Sequence, residues 1–425
     1  MTPAAEAAEP GSQGLRGRSG LLIAGAFFSA SLLGFVLLGV VSRWLSQEQN
    51  AQFLALWGLV FGIGSALSAV EQEIVRLATN AHIDGTRVPG RALQVTGLAI
   101  AVAVLAVGVI AFLPGVGELL RQSLLVAALV FVATGGFAVQ CLSRAVLLGT
   151  NQVVAYVSVV VVEATLRLAL VFALVVGAVP PTLGLATAVI VIGCFGWLPV
   201  ARTVARSLSW DTRGSSLRSV GSAVGALGLA NGLQSLQVTA FPAVASAILG
   251  TSAAMAPVFG GVTLARLPLV ALAPVQAMAV PVVTRMIRAG KHAQLLSLVA
   301  KLSAGGFAVA AVAAVGGWLL GPWALQLYMG ADYVIAPAVI AALLAASCIL
   351  AVALLVVAAL IALERYWTAV LVWFLAALAV VLTLLLAPLP LDQRAAAAVV
   401  VGALVSWVVG VVAVNREASR APDTG

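Results

Sequence analysis

Uncharged apolar runs of about twenty residues recur roughly every thirty residues along this chain. A run of that length crosses a hydrocarbon core of about 30 Å when it is α-helical. Twelve runs follow one another, so we predict an all-α polytopic membrane protein with about twelve transmembrane helices. The predicted spans 1–12 are residues 20–44, 52–74, 91–113, 122–147, 152–176, 182–204, 219–248, 253–284, 297–320, 334–361, 366–387 and 395–414.

The composition agrees with a membrane location. Of the 425 residues, 63% are hydrophobic and 8% are charged, with a mean hydropathy of +1.16, whereas soluble domains carry about 25% charged residues. The net charge of +8 is expected to reflect basic cytoplasmic loops, so no nucleic-acid partner is predicted. Cys141, Cys194 and Cys348 lie far apart within apolar runs. We therefore expect no disulfide, no metal and no other cofactor.

The distribution of Lys and Arg predicts the orientation. With a cytoplasmic N-terminus, seventeen of the 22 Lys and Arg residues fall on the cytoplasmic side. Three fall outside (Arg43, Arg121 and Arg394), and two lie within spans. Because membrane proteins concentrate positive charge in cytoplasmic segments, we predict that both termini are cytoplasmic. The expected location is the inner (plasma) membrane.

A polar segment near the midpoint separates two sets of six spans, a pattern typical of transporters built from two bundles. The predicted parts are an N-terminal tail (1–19), an N-terminal half (20–204), a cytoplasmic linker (205–218), a C-terminal half (219–414) and a C-terminal tail (415–425). The outer loops are short, and the two His residues, His82 and His292, lie in cytoplasmic loops. Few side chains are left for catalysis, so an enzyme is not expected.

Three charged residues lie deep in predicted spans, where each costs roughly 2.5–3.5 kcal/mol on insertion scales. Glu163 and Arg167 share one face of span 5. They either form a local ion pair, or they face a water-filled cavity where Arg167 holds an anion and Glu163 couples transport to a proton or ion. Arg266 in span 8 has no acid in its own helix, so it faces the cavity or pairs with a distant acid. A guanidinium suits bidentate phosphate binding.

Other polar and proline positions allow a structural and a functional interpretation. Span 7 carries amides on one sector that either join helices or contact a sugar, namely Asn231, Gln234 and Gln237. Spans 2 and 4 end in residues that are either solvated helix ends or a cytoplasmic gate, namely Glu71, Glu73, Arg76 and Arg144. Span 8 contains candidate hinge residues, with a static kink as the alternative, namely Pro268, Pro274 and Pro281.

The stretch from Arg43 to Arg76, RWLSQEQNAQFLALWGLVFGIGSALSAVEQEIVR, resembles the polysaccharide-export branch of the oligosaccharide-lipid flippases. Their superfamily also holds multidrug and toxic compound extrusion (MATE) pumps and the lipid II flippase. One departure is Asn50-Ala51, where the family often has Tyr-Gly. The resemblance implies alternating access that turns an undecaprenyl-diphosphate-linked glycan from the inner to the outer leaflet. It also implies membrane lipids and a polysaccharide polymerase or glycosyltransferases as partners.

Two alternatives remain open at this point. A cation-coupled multidrug exporter would favour cavity carboxylates, whereas this chain has two mid-membrane Arg residues and one Glu. The other alternative is an enzymatic or non-transporting component of a polysaccharide-assembly complex. In that case, loss of Arg167 and Arg266 would leave polymer export intact.

Overall fold

The computed structural model describes residues 10–211, 221–270, 282–287 and 289–420. Within these ranges the chain is helical, with a single isolated β-bridge between Val88 and Leu208. The α-helices are Pro10–Trp44, Gln47–Ile83, Arg91–Ile110, Val116–Gln122, Leu124–Gly149, Val153–Val176, Leu183–Gly193, Ala201–Ser207, Gly221–Val238, Phe241–Leu249, Ala256–Leu264, His292–Met329, Pro337–Ala362, Tyr366–Leu386 and Leu391–Arg420.

The prediction of an all-α protein with about twelve spans is confirmed. In the described ranges, eleven helices are long and apolar enough to cross a membrane, and one bent pair brings the number to twelve. Spans 2 and 9 are longer than predicted, at Gln47–Ile83 and Ala293–Met329. Hydropathy marks only the apolar part of a helix, whereas backbone hydrogen bonds continue into its polar ends. Ser46 begins span 2 with a capping box that fixes its first turn.

Span 7 is broken into two helices that meet at 70°, Gly225–Val238 and Phe241–Leu249. Pro242 lies in the first turn of the second helix. Because proline has no N–H, the carbonyl of Val238 loses the donor that a continuous helix would supply. A corner at Thr239 and Ala240 thereby interrupts the span.

Span 8 is also interrupted. Its first helix ends at Leu264, and Ala265 and Arg266 form a turn before helical structure resumes at residue 267. Pro268 follows directly and removes the backbone donor that would bond the carbonyl of Leu264. The other candidate hinge residues, Pro274 and Pro281, lie outside the described residues. A break beside Pro268 agrees with a deformable element at this point, and its role as a hinge stays a prediction.

Hydrophobic clusters reveal how the two halves meet. One cluster, around Ile74 and Val204, belongs to the N-terminal half alone. A second, which includes Val414, belongs to the C-terminal half alone. The third draws on both halves, with Phe53 and Leu325 fully buried in it. The halves therefore pack together toward the end that the charge distribution assigns to the outside, and have separate cores at the cytoplasmic end.

Span 2 provides much of the contact between the halves, because it packs on both helices of span 7. Glycine permits this close approach. A Cβ on Gly62 would lie 2.7 Å from the Cβ of Ala240, and one on Gly58 would lie 3.1 Å from the carbonyl oxygen of Thr239. Small residues that let helix backbones approach are typical of membrane helix interfaces.

Candidate substrate cavity

A cavity of about 360 Å³ lies between the two halves. Spans 1, 2, 4 and 5 line it from the N-terminal half, and spans 7 and 8 from the C-terminal half. Its charged lining residues in the described part of the chain are Arg144, Glu163, Arg167 and Arg266. Aromatic rings line much of the remainder, namely Phe27, Phe35, Trp57, Phe61 and Phe137. The volume is at the lower end of the usual range for ligand sites.

Glu163 and Arg167 form an ion pair on span 5. Nη1 of Arg167 donates to Oε1 of Glu163 at 2.6 Å, and Nε donates to the carbonyl of Ile190 at 3.2 Å. Both residues are buried, at 8% and 4% exposure. Gly193 leaves the space that the guanidinium occupies, since a Cβ there would lie 2.2 Å from Nε of Arg167. The pair is built into the packing of spans 5 and 6.

The ion pair continues into a chain of alternating charges. The second oxygen of Glu163 accepts a hydrogen bond from the amide of Gln140 and lies 3.9 Å from Nη1 of Arg144. Nη2 of Arg144 in turn donates to Oε2 of Glu71 at 2.6 Å. Two carboxylates and two guanidiniums thus neutralise one another across spans 2, 4 and 5. Such pairing offsets part of the cost of burying each charge.

Aromatic rings hold the guanidiniums from the cavity side. The guanidinium carbon of Arg167 lies 5.0 Å from the ring centroid of Phe61 and 5.8 Å from that of Trp57. Arg144 lies 5.8 Å from the ring of Phe137 in the same way. Cation–π contacts of this kind add to the retention of a desolvated charge. The sequence did not predict these rings as site residues, because their contacts with arginine depend on how spans 2, 4 and 5 pack together.

Arg266 reaches the cavity from the turn that interrupts span 8. Its Nη2 donates to the carbonyl of Thr239 at 3.0 Å, and Thr239 lies at the corner of span 7. Its buried Nε has no hydrogen-bond partner in the described part of the chain. No ion pair with a carboxylate forms there either, within the ranges described. The three distant acids that are candidate partners pair with other residues: Glu163 with Arg167, Glu71 with Arg144, and Glu73 with Arg76.

The cavity consequently carries an excess of positive charge. Three guanidiniums, those of Arg144, Arg167 and Arg266, are opposed by the two carboxylates of Glu71 and Glu163 among the described residues. The formal balance is +1. That charge lies on Arg266, where two discontinuous helices meet, a geometry that membrane transporters use to bind ionic groups.

The predicted sugar-contacting amides lie away from this cavity. Asn231 donates from Nδ2 to Oγ of Ser68 at 2.9 Å and so joins span 7 to span 2. Gln237 is buried beside a separate void of about 20 Å³, and its amide atoms have no partner in the described ranges. Gln234 is partly buried and does not line the main cavity. Substrate contact by these three residues stays a prediction.

The predicted cytoplasmic gate residues divide into two groups. Glu73 and Arg76 pair with each other at 2.7 Å, one turn apart, and the Arg76 side chain is 57% exposed. That arrangement matches a solvated helix end. Glu71 and Arg144 instead belong to the buried charge chain of the cavity. A gating role for any of the four stays a prediction.

No protein-family model matches this sequence, and no curated protein matches it. Solved structures do. An inward-facing multidrug resistance MATE family transporter of the MOP superfamily superimposes with a TM-score of 0.71 at 13% identity, over 94% of this chain and 100% of that chain. An outward-facing MATE transporter gives 0.60 at 14% identity, over 96% and 97%. The MATE transporter VcmN of Vibrio cholerae, in its bent form, gives 0.53 at 17% identity, over 95% and 98%.

The chain has the MATE fold. At these identities the similarity establishes the fold and leaves the cargo open. The conformations named for those two solved structures are inward-facing and outward-facing. Membership of the polysaccharide-export branch, which the stretch from Arg43 to Arg76 implied, stays a prediction.

Proposed function

We propose that this protein is a multi-pass transporter of the inner membrane that flips a polyprenyl-diphosphate-linked oligosaccharide by alternating access. The diphosphate binds in the cavity between the halves while the lipid tail stays in the bilayer. Rocking of one half against the other then transfers the headgroup from the inner to the outer leaflet. Glycosyltransferases would supply the glycan before this step, or a polymerase would use it afterwards.

The observation that supports an anionic cargo is the state of Arg266. Arg266 lines the cavity and has no carboxylate partner among the described residues, and its buried Nε has no hydrogen-bond partner there. A buried, unpaired donor is costly, so a ligand that accepts from it gains more than it would at the surface. A diphosphate supplies both the negative charge and the acceptor oxygens for a planar guanidinium.

Glu163 has a coupling role in this proposal. While it is ionised, it neutralises Arg167 and occupies one of its donors. Protonation of Glu163 would release that charge and raise the formal balance of the cavity from +1 to +2. Uptake of a proton would thus favour binding of the phosphorylated headgroup, and loss of the proton would favour its release.

A multidrug exporter is the rival function, and one observation favours it. The cavity has an aromatic wall formed by Trp57, Phe61 and Phe137 beside an acidic residue, which would suit apolar cations. The rings in this protein already lie against Arg144 and Arg167, however. A cationic drug would have to replace a guanidinium at the ring face, in a cavity of positive charge. We therefore place this function second.

The proposal is tested with purified protein in liposomes that contain a fluorescent polyprenyl-diphosphate oligosaccharide. A glycosidase added outside releases label only from the outer leaflet, so the rate of release beyond the initial fraction reports flipping. We expect Arg266→Gln to slow flipping by about tenfold or more. Arg394→Gln is the matched control, because Arg394 lies in the first turn of the last helix, does not line the cavity, and bonds the carbonyl of Leu389 through its side chain.

Two results would refute the proposal. One is that liposomes containing the unmodified protein release label no faster than protein-free liposomes. The other is uptake of a cationic dye, driven by a pH gradient, in liposomes where the glycan lipid does not move. The second result would establish the exporter in place of the flippase.

A further inference from the structure

The two halves are also joined at one end by a group of hydrogen bonds in which none of the charged residues of the cavity takes part. The N-terminal half contributes the end of span 1 and the start of span 2, residues 35–50. The C-terminal half contributes the end of span 9 and the loop after it, residues 327–333. The charge distribution assigns both segments to the outer side. We call these contacts the outer latch.

The centre of the outer latch is a buried polar triad of Ser42, Asn50 and Tyr333, each at most 3% exposed. Nδ2 of Asn50 donates to Oη of Tyr333 at 2.9 Å, and that hydroxyl donates to the carbonyl of Ser42 at 3.2 Å. Burial raises the pKa of Tyr333 to about 12, so its proton is retained at neutral pH. One hydroxyl therefore links the two halves by two hydrogen bonds.

The rest of the outer latch caps the end of span 9. The last carbonyls of a helix have no partner within it and carry a partial negative charge. Arg43 donates to the carbonyl of Leu327, and Oγ of Ser42 lies 3.2 Å from the carbonyl of Met329 while also bonding its own helix. Gln47 donates to the carbonyl of Asp332 at 2.6 Å. The N-terminal half thus satisfies acceptors that separation of the halves would expose.

A glycine in span 1 lets the halves approach. Oη of Tyr328 donates to the carbonyl of Phe35 at 2.7 Å. A Cβ on Gly39 would lie 2.9 Å from Cε2 of Tyr328 and 3.3 Å from its carbonyl oxygen. Gly25, on the same helix toward the cytoplasm, has nothing within 4 Å of such a Cβ among the described atoms. The contact is specific to the outer end.

We propose that the outer latch holds the halves together on the outside and so stabilises the inward-facing state, and that its release is required for outward opening. This rests on the alternating access of the proposed function. The hydrophobic clusters support it, since the halves share a core toward the outer end and have separate cores at the cytoplasmic end. The TM-score of 0.71 with an inward-facing transporter, against 0.60 with an outward-facing one, agrees with this state.

The test measures the distance between the outer ends by electron–electron resonance of two spin labels, without any cargo. Labels are attached to cysteines introduced at Pro181 and Leu389, exposed outer-loop positions of opposite halves. The three native cysteines are buried. We expect Tyr333→Phe and Asn50→Leu each to raise the population of the longer distance about 2- to 10-fold, the effect of losing a hydrogen bond or two. Gly39→Ala should do the same by steric contact with Tyr328.

Matched controls are Tyr366→Phe, at the cytoplasmic end of span 11, and Gly25→Ala. Both should keep the distance distribution of the unmodified protein. The Tyr333→Phe and Asn50→Leu variants are first checked for folding, by a thermal midpoint equal to that of the controls. If the folded variants then give the same distribution of label-to-label distances as the controls, the proposal is overturned. The distance measurement contains no cargo, so it is independent of the flipping assay. A shift in distance without glycan flipping would support the outer latch and contradict only the proposed cargo.

Discussion

The Glu163–Arg167 pair allows a quantitative test of whether the charge chain is structural, functional or both. Replacing Arg167 by Met leaves Glu163 with the amide of Gln140 and with Arg144 at 3.9 Å. Removing one partner of a buried pair costs about 3–5 kcal/mol. Since Arg144 takes over part of the compensation, we expect a loss of unfolding free energy near the lower limit, about 3 kcal/mol.

Replacing Glu163 by Gln should cost less, because Arg167 keeps two further contacts. These are its bond to the carbonyl of Ile190 and its position over the ring of Phe61. The double variant, Glu163→Gln with Arg167→Met, removes both charges at once. It should be more stable than the sum of the single losses predicts, with a coupling free energy of about 0.5–3 kcal/mol.

Unfolding in mixed micelles with increasing SDS provides the measurement, followed by the fluorescence of the nine Trp residues. Additive losses, or single variants within about 0.5 kcal/mol of the unmodified protein, would refute a buried and coupled pair. Flipping by the folded double variant then separates the two roles. We expect flipping that is slow and independent of a pH gradient, whereas a normal, gradient-dependent rate would assign the pair a purely structural role.

Three further predictions concern the cavity and the break in span 7. Arg266→Gln should weaken binding of a polyprenyl diphosphate about 10- to 100-fold in a titration, because a hydrogen bond to a charged group contributes about 1.5–3 kcal/mol; equal affinity would contradict the anion site. Gly62→Ala should lower the free energy of unfolding by about 1–3 kcal/mol, since its Cβ would lie 2.7 Å from that of Ala240. Gly135→Ala, with nothing within 4 Å in the described structure, should show no such loss. Pro242→Ala restores a backbone donor, so it should raise the thermal midpoint and slow flipping; a faster rate would argue against a required corner.

Much of the fold could be predicted because each membrane span is a local property of the chain. An apolar run long enough to cross a bilayer must satisfy its own backbone hydrogen bonds, and a helix is the only single segment that does so. The break in span 8 beside Pro268 was likewise foreseeable, since proline acts on its own helix. The corner of span 7 at Pro242 has the same local cause, although hydropathy treated that span as continuous.

The candidate site was predictable only in part. Burial cost alone drew attention to Glu163, Arg167 and Arg266, because an ionised group in a span requires compensation wherever it points. Which compensation each one receives is decided by residues far along the chain. Arg144 pairs with Glu71, 73 positions away, and no periodicity within one helix encodes that separation.

The role of the span 7 amides could not be decided from the sequence either. Asn231 fitted a sugar contact and an interhelical bond equally well as a sequence position. Its bond to Ser68, 163 positions away, arises because glycines of span 2 let that helix lie against span 7.

Sequence alone therefore determined the number of spans, their class and the presence of buried charge that needs a partner. Tertiary structure decided which charges are neutralised and that Arg266 has no carboxylate partner among the described residues. The reason is physical. In lipid, the backbone N–H and C=O groups form their hydrogen bonds within one helix, whereas the compensation of a buried charge depends on which helices pack side by side.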